Sequence, residues 1–227
     1  MREVRCGRWQ DVLDDVVQCD AVITDPPYSQ VTHQGTGTKN RRDSYKESKI
    51  SYGDLDEEGV REFVEAWHVR CRGWICVLTD DVLAYAYRAA FFDVGRVVFA
   101  PVPVIMPDSV RLCGDGPASA AVYLVVSRPR SIEYAQWGSL PGWYRTSRAK
   151  CERVVGGKRV SLMRQIVGHY SRPGDLVVDP FAGEGSTLTA AHEMGRSCVG
   201  AEVDPKTHAT CARKLADANV KAREVSL

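Results

Sequence analysis

Asp25-Pro26-Pro27-Tyr28 concentrates unusual chemistry in four residues. Two consecutive prolines remove two backbone N–H donors and fix an extended path, so the segment offers acceptors with few competing donors. The prolyl carbonyls and the Asp25 carboxylate then suit an exocyclic amino group, whose two protons both need acceptors. Tyr28 adds a flat face on which a base taken out of its stack can lie. A Pro-Pro turn with a buried tyrosine uses the same letters, so the segment gains weight from what accompanies it.

A second Asp-Pro corner follows about 150 residues later, in Asp179-Pro180-Phe181-Ala182-Gly183-Glu184-Gly185-Ser186-Thr187. Gly183 and Gly185 permit close approach of backbone to a ligand, and Ser186-Thr187 is expected to cap the helix that begins there. Glu184 is expected to face solvent. Glu202 stands about 20 positions past the glycines, where an acidic side chain accepts hydrogen bonds from ribose hydroxyls. The two corners together read as a nucleoside-cofactor site beside an amino-group acceptor, which favours S-adenosylmethionine over a nicotinamide dinucleotide.

These corners need elements to position them. Ala21–Thr24 and Leu176–Val178 are short apolar runs ending in Asp-Pro, the pattern of buried parallel strands. Further strands are expected at Trp74–Leu78, Gly95–Ala100, Ala121–Val126 and Ser197–Val203. Helical periodicity covers Glu57–Arg70, Val82–Phe91, Ser161–Tyr170, Ser186–Met194 and Pro205–Asn219. The alternation predicts one α/β domain over residues 1–227, an open and mostly parallel sheet with helices on both faces and ligands beyond the carboxyl ends of its strands. Residues 29–53 read as a flexible basic loop, and 127–157 as a short insert with the means to recognise a target.

The motifs resemble the DNA amino-methyltransferases, whose members share [DNS]-P-P-[YFW] and F-x-G-x-G. With the catalytic motif first and the cofactor motif last, the order is similar to the permuted beta class. The resemblance is strongest over residues 20–28 and 174–215. It implies a Rossmann-like S-adenosylmethionine-dependent methyltransferase fold with a seven-strand sheet, and direct methyl transfer to nitrogen on a flipped base. It further implies double-stranded DNA as partner, homodimer formation, and the setting of restriction–modification systems. Catalysis would rest on Asp25, Pro26, Pro27 and Tyr28. Cofactor contacts would come from Asp179, Phe181, Gly183, Gly185, Ser186, Glu202 and Lys158. The chain departs from the family around Lys158, which lacks the usual T-Q-K-P context, and at Cys6-Gly7-Arg8, where relatives have Gly-Asp. Trp9 is open to two roles, stacking on the adenine or filling the core.

Composition narrows the alternatives. With 30 basic and 29 acidic residues, no global charge excess points to a polyanion, so any DNA surface must be local. Lys39, Arg41 and Arg42 in one stretch, and Arg145, Arg148 and Lys150 in another, are the candidates for phosphate contacts. Trp137, Trp143 and Tyr144 lie beside the second set and are expected to stack or wedge against bases. The eight cysteines have no C-x-x-C spacing, and the five histidines form no metal constellation. No Pro-Cys dipeptide is present, which removes the cysteine nucleophile of cytosine-C5 chemistry. The N-terminus opens no signal peptide and no run suits a membrane span, so a cytoplasmic protein of bacterial or phage type is expected. The leading expectation is site-specific N6-adenine methylation. N4-cytosine methylation is the nearest rival, followed by an RNA amino-methyltransferase and an idle nucleic-acid binder.

Overall fold

The computed structural model describes residues 1–30, 55–108, 110, 117–131, 137–147 and 157–224, with 219–224 described by backbone only. Chain order is β1 (Arg2–Cys6), α1 (Trp9–Val12), β2 (Cys19–Thr24), α2 (Glu57–Arg70), β3 (Cys71–Thr79), α3 (Asp81–Asp93), β4 (Val97–Val98), β5 (Val102–Ile105) and β6 (Ala121–Arg128). It continues with β7 (Tyr144–Arg145), α4 (Val160–Tyr170), β8 (Leu176–Asp179), α5 (Ser186–Glu193), β9 (Ser197–Glu202) and α6 (Pro205–Glu224).

Local sequence explains the helices. In α2, Val60, Phe63, Val64 and Trp67 are fully buried at i, i+3, i+4 and i+7 spacing, and the Asp56 side chain accepts from the Gly59 N–H at 2.8 Å. Glu57 and Glu58 add negative charge to its first turn, where the helix dipole favours it. At the start of α6, Asp204 accepts from the N–H and hydroxyl of Thr207 at 2.8 and 2.6 Å, and Pro205 takes the first helical position.

The strands join one sheet in the order β1-β9-β8-β2-β3-β6-β5-β7, with β4 also on β6. From β1 to β3 every pairing is parallel, whereas β6 runs antiparallel to β3, β4 and β5. The sheet is therefore mixed. It has nine strands among the described residues instead of the seven expected, two of them only two residues long. Gly95 turns at φ +76° after α3, which shortens the strand expected over 95–100 to Val97–Val98. β1, β5 and β7 were not expected, and β7 draws residues 144–145 of the supposed insert into the sheet.

Alternate residues of the central strands feed two cores. Ala21, Ile23, Cys76 and Leu78 pack with Leu162, Ile166, Leu188 and Cys211 from α4, α5 and α6 on one face. Val22, Ile75 and Val77 pack with Leu13, Phe63, Trp67, Leu83 and Phe91 on the other. Burial on both faces is why β2 and β3 read as near-continuous apolar runs. The α2 crossover leads from β2 to β3 and the α5 crossover from β8 to β9, so the order departs in opposite directions from the β8–β2 boundary. Ligands of open α/β sheets bind at such a boundary, outside the carboxyl ends of the strands.

Candidate active site

Both Asp-Pro corners stand at that boundary. β2 and β8 are neighbours in register, with Ala21 opposite Val177 and Val22 opposite Val178. Thr24, the last residue of β2, donates its hydroxyl to Asp179 Oδ1 at 2.6 Å, tying one corner to the other. Asp179 also accepts from the Phe181 N–H at 3.1 Å. Burial dominates its ionisation and pushes its carboxyl up to about 6, partly opposed by the bonds from Thr24 and Phe181.

The cofactor corner is a turn through left-handed backbone. Gly183 adopts φ +53° with open space where a Cβ would point, and Gly185 adopts φ +84°. The Gly183 N–H donates to Glu202 Oε2 at 2.9 Å, and the Asp204 N–H to Glu202 Oε1 at 2.8 Å. Burial raises the Glu202 carboxyl above its ordinary range despite these bonds. Each oxygen retains a lone pair for a hydroxyl. A partly exposed acceptor beside a glycine with free space above it fits a ribose and the backbone approach of a nucleoside. Phe181 lies against Phe63 of α2 with ring centroids 6.1 Å apart.

Three expectations at this corner change. Gly185, not Ser186 or Thr187, is the N-cap of α5, and no side chain caps the helix; Thr187 is buried. Glu184 does not face solvent: it is buried, with Oε2 accepting from Lys214 Nζ at 2.6 Å. Trp9 is buried against Phe63 and Trp67, so its role is in the core.

A Cβ at Gly185 would fall 2.5 Å from Cys211 Sγ on α6. Gly185→Ala is expected to destabilise the protein by about 2–4 kcal/mol through left-handed strain and overpacking, read from the urea midpoint. Adding Cys211→Ala should recover the steric share but not the share due to φ.

The acceptor corner gains a residue that the resemblance had placed with the cofactor. Lys158 is buried, 3% exposed in its side chain, and its Nζ lies 3.0 and 2.8 Å from the two oxygens of Asp25. The same ammonium donates to Tyr28 Oη at 2.8 Å and sits 5.0 Å from the Tyr28 ring centroid. Tyr28 Oη in turn donates to Asp25 Oδ1 at 3.1 Å. Asp25, Tyr28 and Lys158 thus form a closed triangle, with the Asp25 side chain 21% exposed and open to a ligand. Pro26 is buried and Pro27 half-buried beneath it.

The supposed DNA-facing residues divide. Lys39, Arg41, Arg42, Arg148 and Lys150 lie outside the described residues. Arg145 is exposed and, with Arg159, Thr146 and Ser147, lines an open cleft of about 510 Å³. Trp143 is 59% exposed, but Tyr144 is buried and Trp137 packs edge-on to Trp74 at 5.5 Å beneath the Arg172 guanidinium at 4.0 Å. Tyr144 and Trp137 are therefore core residues, not wedges for bases.

Residues 145–213 match the family model of the N6- and N4-methyltransferases, described as DNA methylase. The matched segment takes in the second Asp-Pro corner, the glycine turn and Glu202. The type II methyltransferase M.EcaI of Enterobacter cloacae is 54% identical over 43 residues, a stretch covering 19% of this chain and only 10% of that relative. Among solved structures, the M1.HpyAVI–SAM complex superposes with a TM-score of 0.67 at 17% identity, over 94% of this chain and all of that one. The cytosine-N4-specific PvuII DNA methyltransferase also gives 0.67, at 16% identity over 96% and 91%. At such identities the superpositions speak for the fold alone, the Rossmann-like fold of these methyltransferases. Among the described residues no helix is long and apolar enough to cross a membrane.

Proposed function

We propose that this protein transfers a methyl group from S-adenosylmethionine to an exocyclic amino nitrogen in double-stranded DNA, at a specific site, and that the nitrogen is N6 of a flipped-out adenine. The observation that carries the reading is the Thr24–Asp179 bond, which holds a nucleoside corner and an amino-acceptor corner side by side on adjacent strands. An idle binding protein has no use for that juxtaposition.

When bound, S-adenosylmethionine supplies an electrophilic methyl group on a sulfonium. Glu202 would accept its ribose hydroxyls, and the turn of Phe181, Gly183, Gly185 and Ser186 would receive the methionine part. Asp25 and the Pro26 carbonyl accept the two amino N–H bonds. That would draw the nitrogen lone pair out of the ring, so that it could take the methyl group as the carbon–sulfur bond breaks and the nitrogen gives up one proton. Tyr28 supports the base face. Positioning and fixed acceptors then provide the acceleration, with no covalent bond to the protein. Asp25 opens the motif where relatives acting on cytosine N4 more often carry Ser, which favours adenine; the fold shared with the N4-specific PvuII enzyme keeps cytosine as the second reading. Arg145 and Arg159, exposed along the cleft, suit phosphate contacts, and residues 127–157 suit target recognition, alone or with a second subunit.

The test is tritiated methyl transfer to unmodified DNA followed by nucleoside analysis. Label in N6-methyladenine is the expected result. Label in N4-methylcytosine would shift the base, and label in RNA alone would overturn the DNA reading.

A further inference from the structure

A second carboxylate stands one strand away from Asp25, at the carboxyl end of β3. Asp80 is fully buried, and its two oxygens serve different partners. Oδ1 accepts from the Leu83 N–H at 2.9 Å and caps α3. Oδ2 accepts both the N–H of Ser29 at 3.0 Å and its hydroxyl at 2.6 Å, across 51 residues of sequence. Ser29, itself 4% exposed, directly follows Tyr28.

Helix capping alone does not require this residue. Serine satisfies an N-cap as well as aspartate does, with one oxygen. The second oxygen grips the end of the catalytic segment, and the charge strengthens both bonds to Ser29. The grip matters because Pro26 and Pro27 have no N–H with which to anchor their own stretch. The segment is held through Thr24 at its start, where the hydroxyl reaches Asp179, and through Ser29 at its far end.

The geometry points to Asp80 as a positioning residue for methyl transfer, clamping Ser29 so that Tyr28 and the prolyl carbonyls face the amino group. This inference rests on the function proposed above. It adds a fixed point outside both motifs, supplied by the strand next to the acceptor corner.

Asp80→Ser separates the two roles, since it keeps a capping oxygen for Leu83 but cannot span to Ser29. In the full-length protein, single-turnover transfer at saturating cofactor should fall on the order of 10- to 100-fold, while cofactor affinity by calorimetry stays within about threefold. The Ser29 amide, followed by NMR hydrogen exchange, should exchange at least about tenfold faster once its acceptor is gone. Ser29→Ala, which leaves the cap and the backbone bond intact, should show a smaller rate loss and add little on top of Asp80→Ser. If Asp80→Ser folds poorly, Ser29→Ala alone decides, and a wild-type rate there overturns the clamp. Wild-type exchange at Ser29 in a folded Asp80→Ser protein overturns it too. Should the wild-type protein label no nucleic acid, the proposed function fails, yet the exchange experiment still decides whether Asp80 holds the segment.

Discussion

Asp25→Asn is expected to slow single-turnover methyl transfer by about 10²- to 10³-fold while cofactor affinity changes by no more than about threefold, the loss typical of removing one preorganised electrostatic contact to a reacting group. The amide keeps the shape of the carboxylate and one acceptor oxygen, but it turns a donor towards groups that already donate. Two of those are Lys158 Nζ, within 3.0 Å of both Asp25 oxygens, and Tyr28 Oη at 3.1 Å. Asp25→Ala is the harsher variant, and the structure changes how it must be read. Truncation strands the Lys158 ammonium, 3% exposed, without its counter-charge, and breaking a buried pair in this way costs about 3–5 kcal/mol. Loss of transfer in Asp25→Ala therefore mixes chemistry with folding, whereas Asp25→Asn with an unchanged melting profile isolates the acceptor. A near-normal rate in the Asn variant would sink the acceptor role.

How much of this was legible depends on whether a residue's partners lie close by in the chain. The Glu57–Arg70 helix was readable to the residue because its cap, its acidic first turn and its apolar stripe are all local. Both Asp-Pro corners were readable because the switch from apolar run to Asp-Pro marks where a buried strand ends. β1 was not, since Arg2-Glu3-Val4-Arg5-Cys6 carries a single apolar branched residue and becomes a strand by pairing with β9, almost 200 residues away. Pro103 inside β5 masked that strand in the same way, its ladder being supplied by β6.

The site divides along the same line. Asp25, Tyr28, Gly183, Gly185 and Glu202 announce themselves by motif, and the structure brings them to one boundary of the sheet. The bond between the corners is invisible in sequence, because Thr24 looks like any strand-ending threonine and Asp179 lies 155 residues on. Asp80 was missed for a related reason: Asp80-Asp81 after an apolar run reads fully as a helix start, and one of its oxygens does that work. Aromatic residues among basic ones misled for Trp137, because the Arg172–Trp137 pair that seats it on Trp74 uses the same residue types that bind nucleic acid.

Lys158→Met is the sharper test of the triangle, because the two roles open to this lysine predict opposite kinetics. The resemblance assigns it to the cofactor, where losing the ammonium would weaken cofactor binding more than about tenfold and leave the saturated rate nearly intact. The geometry assigns it to Asp25 and Tyr28, both of which its ammonium contacts at hydrogen-bonding distance. A carboxylate has about four lone-pair positions, so Lys158 can hold Asp25 in one direction while an amino group takes another. Methionine fills a similar volume with apolar atoms and removes that hold. The expected result is a saturated transfer rate lower by about 10- to 100-fold, as for a misplaced catalytic group, with cofactor affinity within about threefold. Stability should change little, since Asp25 keeps 21% of its side chain in solvent and the buried methionine needs no partner. Lys158→Arg should fail to restore the rate, because a planar guanidinium cannot converge on a carboxylate and a phenol from the point the ammonium occupies. A drop in cofactor affinity with an unchanged saturated rate would instead return Lys158 to the cofactor.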